Sequence, residues 1–293
     1  MSAPGEGSRS ATLNLAEIRH PREHVVLALS AAANVAVVAV AAAVVYLAPE
    51  WAAGHGRVTA LVQRLRLAVI AAILILPFVS LLRLGRWASF RENSIQLGRE
   101  QVPAIFAVLD RLCRVAGIDP PELYASAMGG VGISTALALG GRRIIVLGQD
   151  VFQGLERIED RADVLEFVLG YELGRLVLGH ASWWEDLLLG YLKRIPILRL
   201  PLISVQTASR DRFAATLSPT SIRGLVLLAA GGDLLEHVDA AEFVQQVVRD
   251  PTPARWAWVG KLERGGPHLA ARIRALSRAG LLRAPALGAA RTS

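Results

Sequence analysis

Cysteine is almost missing from this 293-residue chain. Its one thiol, Cys113, excludes an intramolecular disulfide framework and any cysteine-rich zinc ribbon or iron–sulfur site. Lysine is nearly as scarce: Lys193 and Lys261 are the only lysines among 32 basic residues. Charged residues make up 19% of the chain and aromatics 6%, beside 53% hydrophobic residues and a mean hydropathy of +0.41. That balance excludes a disordered or fibrous chain and argues against a uniformly soluble one. The net charge is +7, but no basic stripe is interleaved with aromatics, so no nucleic-acid partner is expected. The partner that composition does suggest is membrane lipid.

The apolar residues are concentrated. Val25–Ala48 runs 24 residues without a charge, about 36 Å of helix against a hydrocarbon core of roughly 30 Å. Tyr46 and Trp51 sit near its end, where amphipathic rings settle at an interface. A cleaved signal peptide would show a shorter apolar region, about 7–15 residues. A second stretch, Leu67–Leu82, lies between Arg66 and Arg83 and contains Pro77. It is short for a span, and a re-entrant or interfacial helix is the alternative. The expected arrangement is a tail over residues 1–24 and a transmembrane hairpin over 25–84. Seven arginines flank the hairpin (Arg9, Arg19, Arg22, Arg83, Arg86, Arg91 and Arg99) against three in its loop (Arg57, Arg64 and Arg66). By the positive-inside rule both ends are then cytoplasmic, in an integral plasma (inner) membrane protein whose soluble domain faces the cytoplasm. Leu187–Val205 holds Lys193, Arg194, Pro196, Arg199 and Pro201, which suits a shallow interfacial segment better than a third span.

From about residue 99 to 282 the pattern is that of a globular domain, followed by a tail over 283–293. Helical spacing predicts a helix over Gln101–Val115, ended by Gly117. Short β-prone runs follow at Leu123–Ala127, Gly132–Leu139 and Arg142–Leu147, and Gly140-Gly141 between the last two signals a hairpin. Helices are expected at Asp160–His180, Trp184–Leu192, Ser204–Leu217, Ile222–Leu235, Ala240–Val248 and His268–Arg278. The fold class is α+β, a small sheet leading a mainly helical body.

Four stretches in this order resemble the HtpX-like and CAAX prenyl-protease-type membrane zinc metallopeptidases. Ala127–Phe152 is similar to the family's substrate-binding edge strand and hairpin. Glu166–His180 (EFVLGYELGRLVLGH) resembles the active-site helix, whose core usually reads HELGH with a trailing GH. Thr207–Leu217 (TASRDRFAATL) resembles the later helix, normally E-x-x-A-D-R-x-A, and Arg272–Leu276 resembles the closing RI..L stretch. The resemblance implies a zincin-like domain, with a peptide cleft along Gly132, Ile133, Ser134, Thr135, Ala136, Leu137, Ala138 and Leu139.

It also implies a site, and here the chain departs from the pattern. In H-E-x-x-H two histidines at i and i+4 ligate zinc, the glutamate is the general base, and a third ligand comes from elsewhere. The chain keeps Glu172 at the general-base position, but Tyr171, Arg175 and Thr207 occupy the three ligand positions. Arginine has no lone pair to donate and stays protonated. Tyrosine would need to ionise from a pKa of about 10. No resident zinc or other cofactor is therefore expected. Glu172 and Arg175, three apart on a helix, are close enough to pair and so to fill the vacated position. Asp211, Arg212 and His180 match outer positions of the family's site. Asp211 is expected to accept from the Tyr171 phenol, and His180 to cap helix-end carbonyls.

Three functions follow as expectations. The first is a membrane-anchored pseudoprotease that binds a polypeptide or membrane-protein partner by strand addition. The second is an active zinc endopeptidase with substituted ligands, and the third is a structural membrane subunit.

Overall fold

The computed structural model describes residues 13–52, 59–71, 74–75, 78, 92–126, 134–139, 142–149, 151–152, 161–190, 192–218, 222–230, 237, 239–249, 259–262 and 265–282. It begins with a single helical turn, α1 (Leu15–Ile18), in which the Asn14 side chain accepts from the Ala16 amide. Helix α2 (Glu23–Ala52) follows and takes in the whole first apolar run. Its 30 residues extend about 45 Å. Much of its surface is apolar and uncovered: Val40 is 65% exposed and Tyr46 74%. Among the described residues α2 is the one helix long and apolar enough to cross a membrane. Residues 59–71 are helical, but half of Leu67–Leu82 lies outside the described residues, and the completed hairpin with it.

The domain opens on β1 (Ile95–Gln96) and α3 (Pro103–Ala116). Proline in the first turn of α3 gives up an amide that would have no helical partner there. Gly117, at φ 67°, ends the helix in the left-handed conformation that a side chain would strain. Strands β2 (Glu122–Ser126), β3 (Ser134–Leu139) and β4 (Arg142–Gly148) complete a four-stranded sheet in the order β1-β2-β4-β3. Antiparallel pairing of β3 with β4 sets Leu139 opposite Arg142, as the expected hairpin requires. Strand β4 then returns beside β2 in parallel, Glu122 opposite Ile144. Central β4 buries Ile144, Ile145, Val146 and Leu147 in succession, the mark of a strand covered on both faces. Strand β3 is left at the edge, alongside the helix described next.

That helix, α4 (Arg161–Val177), is the hub of the domain, in contact with α3, with β3 and with two helices of the helical body, Pro196–Leu217 and Ile222–Ala230. The body continues through α5 (Trp183–Leu188), a 3-10 turn (Leu192–Arg194), α6 (Pro196–Leu217), α7 (Ile222–Ala230), α8 (Ala240–Arg249) and α9 (Leu269–Arg278). Helix α6 starts eight residues before the expected Ser204. Pro196 costs nothing in its first turn, and Pro201 removes one amide while the helix continues through it.

The pairing of α4 with α6 decides the geometry of the site, and two glycines permit it. A Cβ added at Gly170 would lie 3.2 Å from Ala214 Cα, and one at Gly174 would lie 3.1 Å from Phe213 Cδ1. Phe213 is fully buried and has no room to move. Gly174→Ala should therefore lose about 1–3 kcal/mol to overpacking, more than the helix-propensity gain of about 1 kcal/mol. Denaturant unfolding of the detergent-solubilised chain checks this. A midpoint at or above the parent's would mean that α4 and α6 are less closely packed.

Candidate functional site

Close approach of α4 and α6 brings Tyr171, Glu172 and Arg175 on one helix opposite Thr207, Arg210 and Asp211 on the other. Helix α9 adds Arg272 from the side. The two helices lie against each other, and Asp211 has a different partner from the one expected.

Asp211 is 1% exposed and accepts two hydrogen bonds from Arg272, at 2.9 Å from Nε and 2.6 Å from Nη2. This bidentate fork takes the place of the expected Tyr171 phenol. Burial alone would lower the Arg272 pKa, but the Asp211 charge and hydrogen bonds outweigh it and hold the guanidinium above its ordinary value. The Tyr171 ring lies under two guanidinium groups, Arg210 at 4.9 Å and Arg272 at 5.0 Å from its centroid, each within cation–π range. Arg210 also donates from Nη2 to the Thr207 hydroxyl at 3.2 Å and from Nε to the Gln206 carbonyl at 3.2 Å.

Glu172 is 1% exposed. Burial pushes the Arg175 guanidinium below its ordinary value; the Glu172 carboxylate opposes that shift and Arg210 adds to it. The two expected partners thus act on each other electrostatically. A cation in contact with both Tyr171 and Thr207 is Arg210, which was not among the expected site residues. Its signal was available: it stands three residues after Thr207, one helical turn along the same face.

Zinc fits this constellation poorly. Tyr171 and Thr207 offer neutral oxygens, Arg175 offers none, and the guanidinium of Arg210 lies against both oxygen-bearing residues. Among the described residues no group of three or more His, Cys, Asp or Glu side chains could hold a metal ion.

His180 and Arg212 are directed elsewhere. His180 is buried and donates from Nε2 to Glu23 Oε1 at 2.9 Å, instead of capping carbonyls as expected. Glu23 also accepts from the Ser209 hydroxyl and from Arg19. Arg19 donates on to the Leu178 carbonyl at 2.8 Å, Arg212 donates to the Glu17 carbonyl at 2.9 Å, and the His20 amide donates to Ser209 at 2.8 Å. These residues form a lock between the segment leading into α2 and the ends of α4 and α6. With Ile18 in the core, that segment packs against the domain. Of the expected peptide cleft, Ser134 to Leu139 form the edge strand β3, while Gly132 and Ile133 lie outside the described residues.

No family model, no curated protein and no solved structure matches this chain.

Proposed function

We propose that this chain is a membrane-anchored pseudoprotease: a binding module of HtpX-like descent that holds an extended polypeptide along β3 without zinc chemistry. The observation that carries this reading is Arg210, whose guanidinium touches the side chains at two of the three inherited ligand positions. A fixed positive charge there repels a divalent cation, and arginine does not lose its proton to relieve the repulsion. Strand addition needs none of the lost chemistry. An edge strand offers main-chain donors and acceptors to an incoming peptide, and β3 is such an edge beside α4. Helix α2 is the anchor, in the plasma (inner) membrane, and the arginine bias around the apolar segments places the domain on the cytoplasmic side.

Two measurements on the detergent-purified full chain test this. Elemental analysis should find far less than one zinc per chain. The combined change Tyr171→His, Arg175→His, Thr207→Glu and Arg210→Ala should raise it toward stoichiometric, because it restores a two-histidine, one-carboxylate set and removes the competing cation. Stoichiometric zinc in the parent, surviving mild chelation, would overturn the reading in favour of a zinc endopeptidase. For the cleft, anisotropy of a fluorescent unfolded casein peptide reports binding. Successive edge-strand amides point alternately toward β4 and away from it, so one of Ala136→Pro and Leu137→Pro removes an outward donor. That variant should remain folded and lose capture; retained capture in both would remove β3 as the binding edge.

A further inference from the structure

A second apolar surface lies beside α2, on the segment that connects α4 to α6. Trp184 and Leu188 on α5, Ile195 in the connection, and Ile197 and Leu198 in the first turn of α6 all face outward, with Trp184 61% and Ile197 55% exposed. Single exposed apolar side chains are ordinary, but five within the fifteen residues 184–198, on a segment packed against a long apolar helix, are not. Its level along α2 can be read from the contacts. Leu189, Leu192 and Leu202 pack against Val26, Leu27, Ala31 and Ala33, and the Leu192 amide donates to Asn34 Oδ1 at 3.2 Å. The 3-10 turn is therefore level with Asn34, about 13 Å along the helix from Val25, where the charge-free run begins. Between Val25 and that level other side chains of α2 are open, Val25 at 60% and Leu29 at 65% exposed, and Val35 beside Asn34 is 60% exposed. A bilayer that covers them reaches α5 and the start of α6 as well.

The polar groups of this segment are arranged for such a place. Irregular backbone is tolerated at membrane depth only where its amides and carbonyls are satisfied within the protein. The amides of Leu189, Lys193 and Ile195 donate to backbone carbonyls at 2.9–3.1 Å, and the Leu192 amide uses Asn34. Lys193 donates to Glu185 at 2.7 Å, Gln206 donates to the same carboxylate at 2.8 Å, and Arg194 donates to the Gly190 carbonyl at 2.5 Å. Charges tied back to the protein in this way, with the apolar stems of Lys193 and Arg194 available to the lipid, suit an interfacial position.

We infer that α5, the 3-10 turn and the first turns of α6 form a monotopic platform seated in one leaflet of the bilayer, continuous with α2. The occupant of the apolar surface is the boundary between headgroups and acyl chains. This rests on α2 as a span and is independent of the peptide-cleft reading.

The test is nitroxide accessibility on the full chain in vesicles of phosphatidylcholine and phosphatidylglycerol. Cys113 stays in place, because burial pushes its thiol up to about 11 and leaves it unreactive. Single labels go at Leu188→Cys, Ile197→Cys, Val40→Cys on α2, and Val115→Cys on the exposed end of α3. The labels at 188 and 197 should behave like that at 40, with collision with a water-soluble nickel chelate several-fold below that at 115 and strong collision with oxygen. If 188 and 197 match 115 while 40 is in lipid, the platform is wrong and the anchor stands. If all four meet the chelate freely, the anchor fails and the platform with it. Labels at 188 and 197 shielded from both chelate and oxygen would mean that protein covers the surface, which also overturns the proposal.

Discussion

Replacing Arg272 with alanine is expected to cost about 3–5 kcal/mol, the range for breaking one side of a buried ion pair. The Asp211 carboxylate is 1% exposed and takes both of its oxygens' hydrogen bonds from that guanidinium. Without Arg272 it must either stay charged in a poorly solvated place or take up a proton, and both destabilise the fold. The Tyr171 ring loses one of its two cations at the same time. Arg272→Lys keeps the charge and loses the fork, so its cost should be intermediate. The double change Asp211→Leu with Arg272→Met should recover most of the loss, because apolar residues of similar volume often replace a buried pair without penalty. Urea unfolding of the four chains in one detergent gives the comparison. An Arg272→Ala midpoint equal to the parent's would mean that water reaches Asp211 and that the pair is not a structural tie between α6 and α9.

The second large effect is expected at Glu23. One carboxylate accepts from His180, Ser209 and Arg19, three groups brought together from three parts of the chain. Glu23→Ala leaves the His180 and Ser209 donors buried without their acceptor, at about 1–3 kcal/mol each, while Arg19 keeps the Leu178 carbonyl. Amide hydrogen exchange should show the loss concentrated at α1, the start of α2 and the end of α4. Uniform loosening of the domain would argue against a local lock.

The same cluster sets a pH dependence. Burial lowers the His180 pKa below its ordinary 6.5, and the Glu23 hydrogen bond and charge only partly offset this. A charged ring would also need an acceptor for Nδ1, which is buried without a hydrogen-bond partner. His20 shifts the same way, first through burial and then through the charges of Arg212 and Arg22. Both rings are therefore neutral in the fold while the unfolded chain takes up protons below 6.5. Stability should be full above that pH and decline as pH falls through 6.5 toward the folded-state values. His180→Gln should flatten the decline; an unchanged slope would assign the dependence to other groups.

The sequence by itself determined the elements and their order. A 24-residue run without charge could only be satisfied as a long helix with an apolar surface, and α2 is that helix. The β-prone runs on either side of Gly140-Gly141 signalled a hairpin, and β3 and β4 pair antiparallel with Leu139 opposite Arg142. The helix expected at Asp160–His180 is α4, and the substitutions at Tyr171, Arg175 and Thr207 were visible in the motif itself. All of these are local signals, carried by neighbours within a few residues.

Only the tertiary structure decided which charge meets which. Asp211 and Arg272 are 61 residues apart in sequence, and Glu23 and His180 are 157 apart. Spacing within one helix says which face a side chain shares, and nothing about the side chain that a second helix will set against it. That choice depends on how closely α4 and α6 approach, which Gly170 and Gly174 allow, and on where α9 crosses them. A buried charge must find its partner in whatever the packing brings within about 3 Å. Arg210, set against Tyr171 across the two helices, is one such partner.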